Sequence, residues 1–147
     1  MKAASMGVSR PCTTMKPLTF TLLRLLVDGN FHSGEMLAQR LGISRASVSN
    51  ALHGVADYGL ALYSVPGRGY CLSNPPQWLD AALIARHLGG QAGQFQIEIF
   101  DSLPSSNTLL LQRAAQDAPS GSVLAVELQT GGRGRLGRSW HSGLGNA

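Results

Sequence analysis

Cysteine is scarce in this chain. Cys12 and Cys71 are the only two, too few for a disulfide framework and without metal-ligand spacing. That usage fits a reduced, cytoplasmic protein. Lysine is confined to Lys2 and Lys16, near the N-terminus. No stretch approaches the ~20 apolar residues of a membrane span. The N-terminal residues include bases but no apolar segment before a cleavage site, so no secretory signal is expected. Internal repeats are absent, and the single low-complexity tract is a short glycine–arginine run. His87 and His141 have no partner at metal or catalytic spacing and receive no role.

What is present is enough for a core. The 147 residues are 44% apolar, which allows one ordinary domain or two small ones. Residues 1–16 are expected to be disordered, with Met15-Lys16-Pro17-Leu18 as a second, internal start. Charge is unevenly placed. Residues 1–72 carry seven Lys/Arg against three acids, whereas residues 73–147 carry five of each. The whole excess of +4 therefore lies in the first half, a hint of a polyanionic partner there.

Apolar spacing predicts a helix over 18–28, through Leu18, Leu22, Leu25 and Leu26, with Gly29-Asn30 as the stop. Ser33 is a good N-cap for a second helix, with Glu35 in its first turn and Leu37, Ala38 and Leu41 on its apolar face. Gly42 stands where a tight turn wants a left-handed residue. Ser44 then caps a third helix, in which Val48, Leu52 and Val55 point inward. Its other face shows Arg45, Ser47, Ser49, Asn50 and His53. A helix, a glycine turn and a helix with a polar face make a helix-turn-helix. Residues 61–65 and 70–72 flank Pro66-Gly67-Arg68-Gly69, a β-hairpin with an arginine at its tip, in other words a wing. A plain three-helix packing unit is the alternative. The arginine-tipped hairpin and the charge asymmetry favour DNA binding.

Ser73-Asn74-Pro75-Pro76 reads as a linker, since two prolines cannot continue a strand. A short helix is expected over 79–88, ended by Gly89-Gly90, and a half-buried strand over 95–99. Leu103-Pro104-Ser105-Ser106-Asn107 turns the chain into an amphipathic helix through Leu110, Leu111 and Ala114, ending near Pro119. An apolar strand over 122–128 leads into Gly131-Gly132-Arg133-Gly134-Arg135-Leu136-Gly137-Arg138-Ser139-Trp140. Strand, polar turn, helix, strand and glycine-rich loop are the opening of an α/β or α+β catalytic domain.

Two stretches carry chemistry. Ser105-Ser106-Asn107, at a helix N-terminus, can receive a small polar ligand, or it is simply an N-cap. In the Gly131–Arg138 run, glycines bring backbone N–H groups close to a ligand, and arginines offer planar forks matched to phosphate or carboxylate. The run reads as a loop that closes over an anion or as a solvated basic linker. A minor-groove hook is a further alternative. Its position directly after a buried strand argues for an active-site loop.

Together these residues resemble the bifunctional biotin protein ligase and biotin operon repressor family. Phe31-His32-Ser33-Gly34-Glu35 through Leu52 is similar to its helix-turn-helix, and Val65-Pro66-Gly67-Arg68-Gly69-Tyr70 to its wing. Ser105-Ser106-Asn107 resembles the family's Ser-Thr-Asn biotin turn, with Ser106 keeping the hydroxyl and losing a methyl. Gln129-Thr130 and the following loop resemble its Gly-Arg-Gly-Arg-x-Gly-Arg adenylate loop. The resemblance spans about residues 17–147 and implies an α+β architecture. A winged helix-turn-helix over 17–73 is followed by a linker at 74–80. Residues 81–147 are the N-terminal part of a class II synthetase-like biotin ligase domain.

The resemblance also implies a two-step reaction. Biotin and MgATP give biotinyl-5′-AMP, and a lysine of biotin carboxyl carrier protein, an acetyl-CoA carboxylase subunit, then takes the biotin. Biotin falls to Ser105, Ser106, Asn107, Gln129, Thr130, Gly134, Arg135 and Leu136. The adenylate phosphate falls to Gly132, Arg133, Arg135, Gly137, Arg138 and Trp140, with no protein metal site and Mg²⁺ arriving with ATP. The adenylate is the implied corepressor of biotin synthesis genes, promoting a homodimer on operator DNA. Ser44, Arg45, Ser47 and Asn50 are assigned to the groove and Arg68 to a phosphate. The family's Lys-Trp-Pro-Asn-Asp motif does not occur in these 147 residues, so the chain is expected to be the N-terminal part of a longer protein. The other readings are a DNA-binding regulator with a non-catalytic ligase remnant, and a basic architectural protein that uses the arginine loop on DNA.

Overall fold

The computed structural model describes residues 15–132, 134, 138, 143 and 144. The expected disorder of residues 1–16 lies outside this set except for Met15 and Lys16. Met15 is a buried member of the core rather than part of a loose tail.

Helix α1 spans Pro17–Leu25 and opens with proline, whose fixed φ suits a first helical position. It stops a turn short of the expected 28. The Leu26 N–H donates to the Leu23 carbonyl at 3.1 Å, a tightened closing turn. Helices α2 (Gly34–Leu41) and α3 (Arg45–Leu52) start where their serines direct. Ser33 Oγ accepts from Met36 N–H at 3.0 Å, and Ser44 Oγ from Ser47 N–H at 3.1 Å. Between them Gly42 takes φ 65°, and Ile43 N–H reaches back to the Ala38 carbonyl at 2.9 Å. Val48, Leu52 and Val55 are buried as their spacing predicts. A buried bond from Thr19 Oγ1 to the Ala51 carbonyl, 2.7 Å, ties α1 to α3.

After a 3-10 turn at Val55–Tyr58, strands β1 (Leu62–Val65) and β2 (Gly69–Leu72) pair antiparallel as the wing. Leu72 is fully buried and anchors the hairpin to the helices.

The second half differs from expectation in its boundaries. Helix α4 is Ala81–Leu88, beginning two residues late because Asp80 is its N-cap and accepts from Leu83 N–H at 3.0 Å. Leu79 stays outside the helix. The chain does not stop at Gly89-Gly90 but continues as a 3-10 turn over Gly89–Gln94. Strand β3 is Gln96–Leu103, longer than the expected 95–99, and α5 is Ser106–Ala114. Leu111, placed on the apolar face by spacing, is 63% exposed. Strand β4, Ser122–Gln129, runs parallel to β3 with Ile97 opposite Val123 and Leu103 opposite Gln129. The unit is thus β–α–β.

The two halves share one core. Met15, Phe20, Leu128 and Leu144 belong to the same buried cluster as Leu22, Val48 and Leu72. At the seam the Phe20 and Trp78 rings meet edge to face at 6.3 Å. Arg24 lies over Trp78, 4.6 Å from its centroid, and makes a bidentate pair with Asp101 at 2.5 and 3.1 Å. One of the seven bases of the first half is therefore neutralised by the second. The linker is pinned as well: Leu79 N–H donates to Glu127 Oε1 at 2.7 Å.

Glu127 is only 2% exposed. Burial pushes its pKa above the ordinary 4.5, against the opposing pull of the Leu79 N–H and Arg24. A raised folded pKa gives stability that is complete below the unfolded value and is lost as pH rises through the folded one. Thermal melts should therefore fall from pH 4.5 upward, and Glu127→Gln should flatten that fall while keeping the acceptor. An unchanged slope in the variant assigns the pH dependence to another group.

Candidate ligand turn and nucleic-acid face

The end of β3 and the end of β4 lie side by side, and this register builds the candidate ligand site. Thr130 N–H donates to the Leu103 carbonyl at 3.0 Å and Gly131 N–H to the Pro104 carbonyl at 2.7 Å. The chain leaving β4 is thereby held against the turn leaving β3. Ser105 is buried and caps α5, its Oγ accepting from Thr108 N–H at 3.3 Å. Ser106 gives both its N–H (3.0 Å) and its Oγ–H (3.2 Å) to Gln129 Oε1. Asn107 is exposed beside them.

The structure therefore brings Ser105, Ser106, Asn107, Gln129 and Thr130 together across 23 residues of sequence separation. Ser105 fulfils the plain cap reading as well. The arrangement presents the N-terminus of α5, whose dipole favours a negative group, with the Ser106 and Thr108 N–H groups already engaged by Gln129 and Ser105. Because Gln129 accepts through Oε1, its NH₂ is oriented away from Ser106 as a donor.

Beyond β4, Gly132 and Gly134 are half-buried and Arg138 is exposed. Gly134 N–H donates to the Arg138 carbonyl at 2.8 Å. A Cβ on Gly134 would stand 3.2 Å from Arg138 Cβ, tighter than ordinary contact. Arg133, Arg135, Leu136, Gly137 and Trp140 lie outside the described residues.

The DNA-side residues divide into two groups. Arg45, Ala46, Ser49, Asn50 and His53 are all exposed, at successive positions of one face of α3 and its C-cap. Ser44 and Ser47, by contrast, face each other with hydroxyls 2.9 Å apart, and Ser44 is engaged in the cap. The exposed stripe of α3 is thus Arg45, Ala46, Ser49 and Asn50, with Ser44 exposed at its N-cap and Ser47 half-buried beside it. Ser49 already stood on that face by helical spacing, and the same spacing reaches Ala46. Arg68 is exposed at the wing, its guanidinium 4.3 Å from the centre of the Phe31 ring.

These features define the class: a winged helix-turn-helix joined through a shared core to a β–α–β unit that is followed in sequence by a glycine–arginine stretch. Comparison with known proteins gives the family. Residues 19–71 match the model of an HTH domain, and residues 99–147 that of the biotin/lipoate A/B protein ligase family. The chain is 41% identical over 132 residues to the bifunctional ligase/repressor BirA of Salmonella typhimurium, covering 90% of this chain and 39% of that protein. It is 39% identical over 124 residues to the protein of the same name from Escherichia coli, covering 84% and 37%. Its counterpart in Bacillus subtilis is 31% identical over 116 residues, covering 79% and 36%. The chain belongs to the bifunctional biotin ligase/repressor family and corresponds to its N-terminal region. It spans about two fifths of the length of these relatives. Among the described residues no helix is long and apolar enough to cross a membrane.

Proposed function

We propose that this chain is the DNA-binding and ligand-turn part of a biotin protein ligase that doubles as a transcriptional repressor. The whole protein joins biotin to ATP as biotinyl-5′-AMP and passes biotin to a lysine of biotin carboxyl carrier protein. With the adenylate bound it dimerises on operator DNA and represses biotin synthesis genes, in the cytoplasm. The observation that carries this reading is the Ser106–Gln129 pair. It draws the Ser105-Ser106-Asn107 turn and the root of the arginine loop into one site.

The division of labour follows from chemistry. Ser105, Ser106, Asn107, Gln129 and Thr130 offer the hydroxyl and amide groups that suit the polar end of biotin, joined by Gly134, Arg135 and Leu136. Gly132, Arg133, Arg135, Gly137 and Arg138 offer amide N–H groups and guanidinium forks to the phosphate, where negative charge develops, with Trp140 closing the loop. Mg²⁺ enters as the counterion of ATP. On the DNA side, the groove falls to Ser44, Arg45, Ser47 and Asn50, of which Arg45 and Asn50 carry side chains that pair bidentately with guanine and adenine edges, and a phosphate falls to Arg68.

Calorimetric titration with biotin and then with biotinyl-5′-AMP tests the ligand half. The adenylate is expected to bind this chain, and Arg135→Ala to weaken it about ten- to hundred-fold, the value of one charged hydrogen bond. Ser106→Ala should weaken biotin and adenylate alike. Absence of adenylate binding by the full-length parent, with duplex binding retained, would leave a DNA-binding regulator alone.

A further inference from the structure

We propose that Phe31 is a positioning residue for DNA binding: it holds the wing arginine, Arg68, in a pre-set orientation toward a backbone phosphate. The inference deepens the DNA-binding reading above and rests on it.

An arginine at a hairpin tip ordinarily loses much rotamer freedom when it engages a phosphate. Here that freedom is already restricted. The Arg68 guanidinium lies 4.3 Å from the centre of the half-buried Phe31 ring. Stacking uses the flat face of the guanidinium and leaves its in-plane N–H fork available to a phosphate. No carboxylate pairs with Arg68 among the described residues.

The platform beneath it is itself fixed. His32 and Tyr70 exchange two backbone bonds of 2.9 Å, which sew the segment carrying Phe31 to strand β2 of the wing. His32 Nε2 sits 2.9 Å from both Asp28 carboxylate oxygens, and this contact with the Asn30 N–H holds the Asp28 pKa down to about 2. The Tyr70 ring reaches the first turn of α2: a Cβ on Gly34 would stand 3.3 Å from Tyr70 Cε2 and 3.9 Å from Arg45 Nε. Wing and reading helix are therefore parts of one surface. Arg68 on the hairpin and Arg45 on α3 are cationic points on it, and Phe31 lies in the α1–α2 connection that the His32–Tyr70 bridge ties to the wing.

The test is binding of a mixed-sequence 20-base-pair duplex by the full chain across a salt series, with melting curves on each variant. Arg68→Ala is expected to reduce the slope of log K against log salt by about 0.9, one phosphate contact. Phe31→Leu keeps the apolar contact and removes the π face. It is expected to weaken binding about two- to five-fold, the range of an exposed cation–π contact, with the slope unchanged. Phe31→Trp is expected to restore affinity. An unchanged slope in Arg68→Ala, with the unsubstituted chain bound, overturns the phosphate assignment and the positioning role that serves it, and leaves DNA binding standing. Equal affinities for Phe31→Leu and the unsubstituted chain overturn the positioning role. Should the unsubstituted chain show no salt-dependent binding, the DNA-binding reading falls, and the wing assignment with it.

Discussion

Phe20→Ala is expected to lower stability by about 3–5 kcal/mol and the melting midpoint by roughly 10–20 °C for a chain of this size. Phe20 is 1% exposed and fills the centre of the seam. On one side it joins the helical core with Leu22, Leu23 and Val48. On the other it meets the edge of Trp78 and the cluster that includes Leu128. Truncation leaves a cavity that neither half closes alone, because each supplies only part of the lining. The loss should appear as one shifted transition, with Trp78 fluorescence and far-ultraviolet dichroism moving together. Two separated transitions, of which only the helical one moves, would show that the two halves are independent units in contact.

That shared core also explains where sequence reading succeeded and where it did not. The helix-turn-helix was legible because its determinants are local. Ser33 and Ser44 cap, Gly42 turns, and Val48, Leu52 and Val55 repeat at helical spacing. The β–α–β unit was legible as an order of elements, since alternation at Ile97 and Ile99 and the turn at Pro104 are again local signals. Its boundaries were less so. Beyond Ile99 every residue to Leu103 is half-buried, and the alternation that marks a strand disappears. Asp101 looks like a loop residue in sequence. It belongs to the strand, and its carboxylate pairs with Arg24, 77 residues earlier. No spacing rule connects positions so far apart. The same limit applies to Glu127, which an apolar strand pattern passes over and which fastens the linker from within the seam.

In the candidate site the pieces were legible and their assembly was not. Ser105-Ser106-Asn107 and Gln129-Thr130 each stood out by residue type and place. The contact between them depends on the parallel register of β3 and β4, which sets Leu103 opposite Gln129. A shift of that register by one residue would turn Gln129 to the other face of the sheet and separate it from Ser106. Placement of the ligand turn is thus a property of strand pairing, and through Asp101 on β3 it is mechanically continuous with α1 of the DNA-binding half.

Gly69→Ala is expected to cost about 2–5 kcal/mol and to abolish wing-dependent DNA binding, from two separable effects. Gly69 has φ +98°, a conformation whose cost for an L-residue is about 1–2 kcal/mol. Its Cβ would also stand 2.0 Å from the His32 carbonyl oxygen and 2.6 Å from the carbonyl carbon, which is backbone and cannot rotate aside. Relief requires His32 and Tyr70 to part, giving up two backbone bonds worth about 0.5–1.5 kcal/mol each. The neighbouring Gly67 separates the two effects, since it has φ +76° and nothing within 4 Å of an added Cβ. Gly67→Ala should therefore show the conformational cost alone, about 1–2 kcal/mol, and leave the His32–Tyr70 bridge and the Phe31–Arg68 stack in place. Hydrogen exchange at the His32 and Tyr70 amides, read alongside chemical denaturation, distinguishes the cases. Loss of protection in the Gly69 variant alone identifies the close approach, rather than the turn conformation, as what fixes the wing against the helices. Equal losses in both variants would return the effect to the turn, and the arginine at the tip would then owe its orientation to hairpin geometry instead of to Phe31.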